Sequence, residues 1–276
     1  MTATPGPTDC SLQLMGTATM LLRLGPFTLL TDPNFLHRGQ RAYLGYGLAS
    51  KRRTDPALAV HQLPALDGIV LSHMHGDHWD RVARRALDRS TPVITTRSAA
   101  RALARQGFRN TQGLGTWGET ALHSSGHALR IIAVPGRHAT GVARHLLPPV
   151  MGSVLEYQPA PGKLALRMYI TGDTLLVDEL RAIPQRYPHL DVAVLHLGGT
   201  TLPGGLVVTM DGAAGAELVQ LLAPTRAVPI HYDDYRVFRS PLSHFEAEIA
   251  RRGLSDIVDV VRRGDIRALP CRRVAS

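Results

Sequence analysis

Short apolar runs broken by Gly, Pro and Asp set the rhythm of this chain, and their length suits buried strands better than helices. Leu12 to Met15, Met20 to Leu24 and Phe27 to Thr31 read as three strands, the last two joined through the Gly25-Pro26 turn. Leu66 to Ser72, Pro92 to Thr95, Thr111 to Leu114, Glu119 to Leu122 and Leu129 to Val134 continue the series. Val154 to Tyr157, Leu166 to Ile170, Val192 to Leu197, Ala227 to Ile230 and Ile257 to Val261 complete it. Helical spacing appears after Asp80, where Val82, Ala83, Ala86 and Leu87 recur on one face, with Asp80 as cap. It appears again over Ser98 to Gln106 with Ser98 as cap, over Leu175 to Ile183, after Asp211, and over Leu242 to Arg252. Residues 35–60 and 139–150 follow neither period and read as long loops; residues 1–9, rich in Thr and Pro, read as a disordered leader.

The two parts of the chain echo each other. Asp67-Gly-Ile-Val-Leu-Ser-His and Asp191-Val-Ala-Val-Leu-His-Leu are the same strand type, each followed by a helix and another short strand. Each part also has a strand that ends in an aspartate, Asp32 or Asp173. Two similar β-rich halves with helices outside predict an α/β fold, a four-layer αββα sandwich, as a single domain over residues 10–276.

Composition narrows this only a little. The formal charge of +9 comes almost wholly from Arg, since Lys occurs only at 51 and 163. The arginines are scattered, which favours a solvated surface over a nucleic-acid face. Two cysteines, Cys10 and Cys271, supply neither a disulfide framework nor a thiolate metal cluster, so a cytoplasmic setting is expected. No basic start followed by an apolar core suggests a secretory signal, and no apolar run approaches the roughly 20 residues that span a bilayer. Peripheral membrane contact stays open.

The chemistry concentrates in His73-Met74-His75-Gly76-Asp77-His78-Trp79-Asp80, directly after a buried strand. Three imidazoles and a carboxylate on a short loop leaving a rigid strand can aim at adjacent metal ions. Three further candidates, His138, Asp173 and His231, each follow a predicted strand, where a sheet presents side chains with little positional slack.

This pattern, His-x-His-x-Asp-His followed at wide spacing by His, Asp and His, resembles the metallo-β-lactamase superfamily from Leu12 to about Val261. Gly16-Thr-Ala-Thr-Met, Leu30-Thr-Asp-Pro, Asp80, Gly172-Asp-Thr and Pro229-Ile-His-Tyr-Asp look most similar to the branch of N-acylphosphatidylethanolamine phospholipase D and ascorbate-6-phosphate lactonase-like proteins. The resemblance implies two divalent metal ions, one on His73, His75 and His138, the other on Asp77, His78 and His231, with Asp173 bridging. Zinc leads, and manganese or iron accept the same donors. Asp32 is expected to orient a ligand histidine or to cap the turn before Pro33.

The function that follows is a metal-dependent hydrolase in which a metal-bridging hydroxide attacks a phosphodiester, lactone or related ester. Asp77 and Asp173 are the expected catalytic carboxylates, and Asp77 could orient the attacking hydroxide. The substrate is expected to be a small or lipid-like molecule, with Arg137 and Arg144 as anion contacts and the two loops as walls. His196, Tyr232 and His244 are the candidates for a leaving-group proton donor. The alternatives are a nuclease of the same superfamily, for which no appended nucleic-acid domain is visible, and a non-catalytic metal-binding scaffold. Nothing selects a β-lactam substrate.

Overall fold

In the computed structural model, residues 10–272 are described except 46, 140, 142–146 and 203–204. The first sheet contains β1 (Cys10–Gly16), β2 (Thr19–Leu24) and β3 (Phe27–Thr31) as an antiparallel meander. A hairpin of β4 (Arg41–Gly45) and β5 (Leu48–Lys51) interrupts the chain before β6 (Gly68–Val70), β7 (Val93–Thr96) and β8 (Thr111–Leu114), which extend that sheet in parallel from β3. The second sheet is built from β9 (Glu119–Ser124), β10 (His127–Pro135), β11 (Met151–Gln158) and β12 (Leu166–Ile170), all antiparallel. It continues in parallel through β13 (Val192–His196) and, past the hairpin β14 (Thr201–Leu202) and β15 (Leu206–Val207), through β16 (Arg226–Ile230). β17 (Ile266–Ala268) closes the free edge of β1.

Three apolar clusters show the layering. Leu12, Leu22 and Leu29 of the first sheet meet Leu129, Ile131, Leu155 and Met168 of the second, so the sheets pack face to face. The outer face of the first sheet, through Leu21, Leu30 and Ile69, packs on Ala83 and Leu103 of helices α1 (Arg81–Ala86) and α2 (Arg97–Arg105). The outer face of the second packs α3 (Ala182–Arg186), α4 (Gly212–Leu222) and α5 (Leu242–Arg251) through Ile183, Leu218, Val219, Phe245 and Ile249. The result is the four-layer αββα sandwich.

Several local expectations differ from the structure. Residues 35–60 are not an unbroken loop: Ala42 and Leu44 are buried while Arg41 and Tyr43 are exposed, the period-two pattern of β4. The helix expected over Leu175 to Ile183 is a 3-10 turn, Asp178–Arg181, leading into the short α3, because Leu175 is tied back to the Arg137 carbonyl. Thr96, not Ser98, caps α2. The strand expected at Ile257 to Val261 is only a bridge between Val258 and Ala227, and the chain pairs again at β17. Among the described residues no helix is long and apolar enough to cross a membrane.

Candidate metal centre

In both sheets the parallel strands end on the same side, and their carboxyl ends meet. Asp32 follows β3, Ser72 and His73 follow β6, Asp173 follows β12, His196 ends β13 and His231 follows β16. Crevices at the carboxyl ends of parallel strands are where α/β sheets present ligand-binding side chains. Backbone bonds fix the two sheets at this point: Met151 N–H donates to Ser72 O at 3.1 Å, and His231 N–H to Thr17 O at 3.1 Å. Asp32 (φ 37°) and His231 (φ 63°) are both left-handed, strained conformations for non-glycine residues that the surrounding bonds must hold.

All seven residues singled out by the sequence come together, and all are buried. His73, His75 and His138 form one group, and Asp77, His78, Asp173 and His231 another; within each, the potential ligand atoms lie within 4.8 Å of one another. His75 Nδ1 is 3.0 Å from His73 Nε2 and 3.0 Å from His138 Nε2, so three ring nitrogens converge. In the second group His78 Nε2 is 3.3 Å from Asp173 Oδ2, and His231 Nε2 is 3.5 Å from Asp77 Oδ2.

Tautomers are set from behind. His138 Nδ1–H donates to Val208 O at 2.6 Å and His231 Nδ1–H to Leu197 O at 3.2 Å, which turns each Nε2 lone pair inward. Asp77 Oδ1, His78 Nε2, Asp173 Oδ1 and His231 Nε2 are buried with no hydrogen-bond partner. Buried imidazole nitrogens and carboxylate oxygens left unsatisfied in this group, and three converging imidazole nitrogens in the other, are the donor sets of a borderline cation such as zinc, so the residues fit the two ions expected.

The two groups differ electrostatically. Burial, and after it the neighbouring imidazoles, hold His73 well below its usual range; burial and His138 bring His75 to about 4; burial lowers His138. These three are neutral donors. Burial would also lower His78 and His231, but Asp173 above all, with Asp32 and Asp77 at His78 and Asp77 at His231, outweighs it and raises both. Burial would raise Asp173, yet His231 and His78 hold it well below the carboxylate range. Asp173 also acts electrostatically on His73, His75 and His138, so its charge faces both groups.

Asp32 lies behind the second group, against His78. Its Oδ1 accepts from Ser72 N (2.7 Å) and Ser72 Oγ (2.9 Å), while Oδ2 faces His78 Nδ1 at 3.4 Å and His196 Nε2 at 3.5 Å. Burial opposes its charge, but His78 and His196 bring it to about 2. Asp32→Asn is expected to weaken zinc binding about 10–100-fold, the usual cost of losing an outer partner of a ligand histidine, as read by competition with a chelating dye. Unchanged affinity would return Asp32 to a turn residue.

One candidate, expected as a leaving-group proton donor, takes a different place, and one contributor escaped sequence reasoning. His196 stacks on His78 with ring centroids 5.9 Å apart and completes the layer around Asp32. Its position opposite Ser72 in the internal echo was the available signal. Asn34 gave none: its Nδ2 donates to Gly76 O at 2.8 Å, between His75 and Asp77. Asn34 Oδ1 accepts from Arg52 and from Tyr235 Oη (3.1 Å), which fixes the amide's orientation. Gly76 must be glycine because β4 crosses directly over it: a Cβ there would lie 2.6 Å from both Tyr43 N and O. Asp80 caps α1 through Val82 N (2.6 Å) and Ala83 N (2.8 Å), and its other oxygen binds the amides of Phe35 and Leu36, tying the chain after β3 to the helix.

The remaining candidates lie elsewhere. Arg137 is paired with Glu179, Tyr232 packs toward the outer helices of the second sheet, and His244 sits on the exposed face of α5. Arg144 lies outside the described residues.

Comparison with known proteins agrees with this geometry. The chain is 28% identical over 197 residues to a metal-dependent hydrolase of Anaeromyxobacter sp. (strain K), an alignment covering 68% of this chain and 66% of that relative, just under two thirds of its length. It is 26% identical over 253 residues to a metal-dependent hydrolase of Deinococcus radiodurans, covering 88% of this chain and 93% of the relative. Two solved structures share the fold: an isothiocyanate hydrolase from Delia radicum gut bacteria (TM-score 0.79, 21% identity, 94% of this chain and 98% of that one) and a possible metal-dependent hydrolase from Veillonella parvula (TM-score 0.79, 20% identity, 95% and 100%). The histidine loop and the strand-end ligand candidates fall within residues 28–232, the stretch matched by the model of the beta-lactamase superfamily domain, and the chain belongs to that family.

Proposed function

We propose that this protein is a dinuclear metal-dependent hydrolase. The observation that carries the reading is the pair of buried donor groups, one in which three imidazole nitrogens converge through 3.0 Å contacts and one whose Asp77, His78, Asp173 and His231 atoms have no hydrogen-bond partner. His73, His75 and His138 would hold one ion, Asp77, His78 and His231 the other, and Asp173 both. Zinc is the favoured metal. Two such ions supply an ionised water near neutral pH and polarise the oxygen of an electrophilic substrate. The chain's own groups do the positioning: Asp77, with Oδ1 unpartnered, orients the attacking oxygen, and Asp32 and His196 keep His78 in register.

An apolar cluster of Ala139, Leu147 and Val208, with the hairpin residues Leu202 and Leu206 packed against it, lies beside His138. Arg137, the one described anion-contact candidate, is engaged by Glu179. These two features favour a small or lipid-like ester or lactone with an apolar portion over a phosphodiester. The isothiocyanate hydrolase among the structural neighbours makes an alkyl isothiocyanate a useful additional probe.

The test is hydrolysis of a lactone panel, bis-p-nitrophenyl phosphate and an alkyl isothiocyanate, before and after chelation. Turnover that is lost with chelator and restored by zinc is expected, with lactones ahead of the phosphodiester. Full metal loading with no chelator-sensitive turnover on any of them would leave a non-catalytic scaffold.

A further inference from the structure

Ser72 sits at the seam between the two sheets. Its carbonyl accepts from Met151 N–H at 3.1 Å, and a Cβ on Gly172 would lie 3.1 Å from the Ser72 Cβ, so the residue is closely held from both sides. Its buried hydroxyl touches three side chains: Asp32 Oδ1 at 2.9 Å, His73 Nδ1 at 3.0 Å and His78 Nδ1 at 3.4 Å. Among the described residues, Ser72 is the one side chain outside the seven ligand candidates that hydrogen-bonds a histidine of each donor group.

A hydroxyl has one hydrogen to give and two lone pairs with which to accept. The hydrogen of Ser72 goes to Asp32, whose Oδ1 also accepts the Ser72 amide at 2.7 Å. Toward the histidines the oxygen is therefore left as an acceptor, and at the 3.0 Å contact His73 Nδ1 must carry the proton. As a neutral donor His73 has one ring proton to place, so its lone pair falls on Nε2. That is the atom 3.0 Å from His75 Nδ1, where the first group converges. His138 and His231 have backbone carbonyls behind Nδ1, but His73 has none: among the described residues Ser72 is the partner of its Nδ1. His78 Nδ1–H is turned the same way by Asp32 Oδ2 at 3.4 Å as well as by Ser72.

We propose that Ser72 is a positioning residue: its hydroxyl, with the hydrogen committed to Asp32, holds His73 as the Nδ1–H tautomer with Nε2 aimed into the first group. One carboxylate, Asp32, thereby orders a histidine in each group, His78 directly and His73 through Ser72. That the two histidines serve separate ions rests on the dinuclear reading; the tautomer of His73 does not.

The experiment is long-range nitrogen–proton NMR of the imidazoles in the metal-free full chain at neutral pH, with His73 assigned from the signal missing in His73→Gln. Zinc affinity is followed in parallel by dye competition. The parent should show His73 protonated at Nδ1 alone. Ser72→Ala should turn that signal into a mixture of tautomers, while His138, bonded to Val208 O, keeps its own, and should weaken binding of one zinc ion about tenfold. Ser72→Thr, which retains the hydroxyl, should retain both the tautomer and the affinity. A parent His73 protonated at Nε2, or a Ser72→Ala chain whose His73 stays wholly Nδ1-protonated, overturns the proposal. The expected tautomers in a chain that takes up fewer than two zinc ions would uphold the role of Ser72 and remove the dinuclear reading instead.

Discussion

Asp173→Ala is expected, on the proposed dinuclear reading, to lower chelator-sensitive turnover by about 10³-fold or more and to remove at least one of the two metal ions that reading assigns to each chain. The first effect follows because the carboxylate faces both donor groups, and several kcal/mol of transition-state stabilisation from the ions is at stake, with each 1.36 kcal/mol worth a factor of ten. The second follows from position: His78 Nε2 at 3.3 Å and His231 Nδ1 at 3.5 Å lose the charge they face. The fold should survive, since Thr209 Oγ1, at 3.2 Å, is the hydroxyl partner the carboxylate leaves behind. Elemental analysis alongside the rate separates the two consequences. A variant with full activity and two bound metals would show that Asp173 bridges nothing.

Asn34→Ala should produce the largest loss of stability, about 2–4 kcal/mol in urea unfolding of the metal-free chain, from the several buried hydrogen-bonding groups it strands. Gly76 O loses its donor, and the Tyr235 hydroxyl and Arg52 lose their shared acceptor, in buried or part-buried surroundings. The same change frees the middle of the histidine loop, so zinc affinity should fall as well. Asn34→Asp provides the control: it keeps acceptors for Arg52 and Tyr235 but cannot donate to Gly76 O. If Asn34→Asp recovers stability without recovering zinc affinity, the amide's contact with Gly76 positions the loop. If both variants bind zinc as the parent does, Asn34 serves only the core.

Much of the layered architecture was legible because its strands are buried on both faces, and apolar runs bounded by Gly and Pro report that directly. The hairpin β4–β5 was harder to read: only Ala42 and Leu44 carry its inward face, too short a period to stand out between Gly39 and Gly47. The expected helix at Leu175 and the expected strand at Ile257 fail for another reason. There the backbone is committed to distant partners, Arg137 O for Leu175 N–H and Ala227 O for Asp259 N–H, and local propensity yields to them.

Sequence alone determined the composition of the candidate site, because metal-ligand chemistry demands particular side chains and those stand out at strand ends wherever they occur. It also determined that Asp80 would start a helix, since a cap acts within three residues. The tertiary structure decided what no local pattern carries: that His196 joins Asp32 behind His78, that Arg137 belongs to Glu179, and that Asn34 holds Gly76. Each is a contact between residues far apart in the chain, selected by where two sheets and a crossing hairpin bring backbone and side chains together. Packing geometry, unlike side-chain chemistry, belongs to no single stretch of sequence.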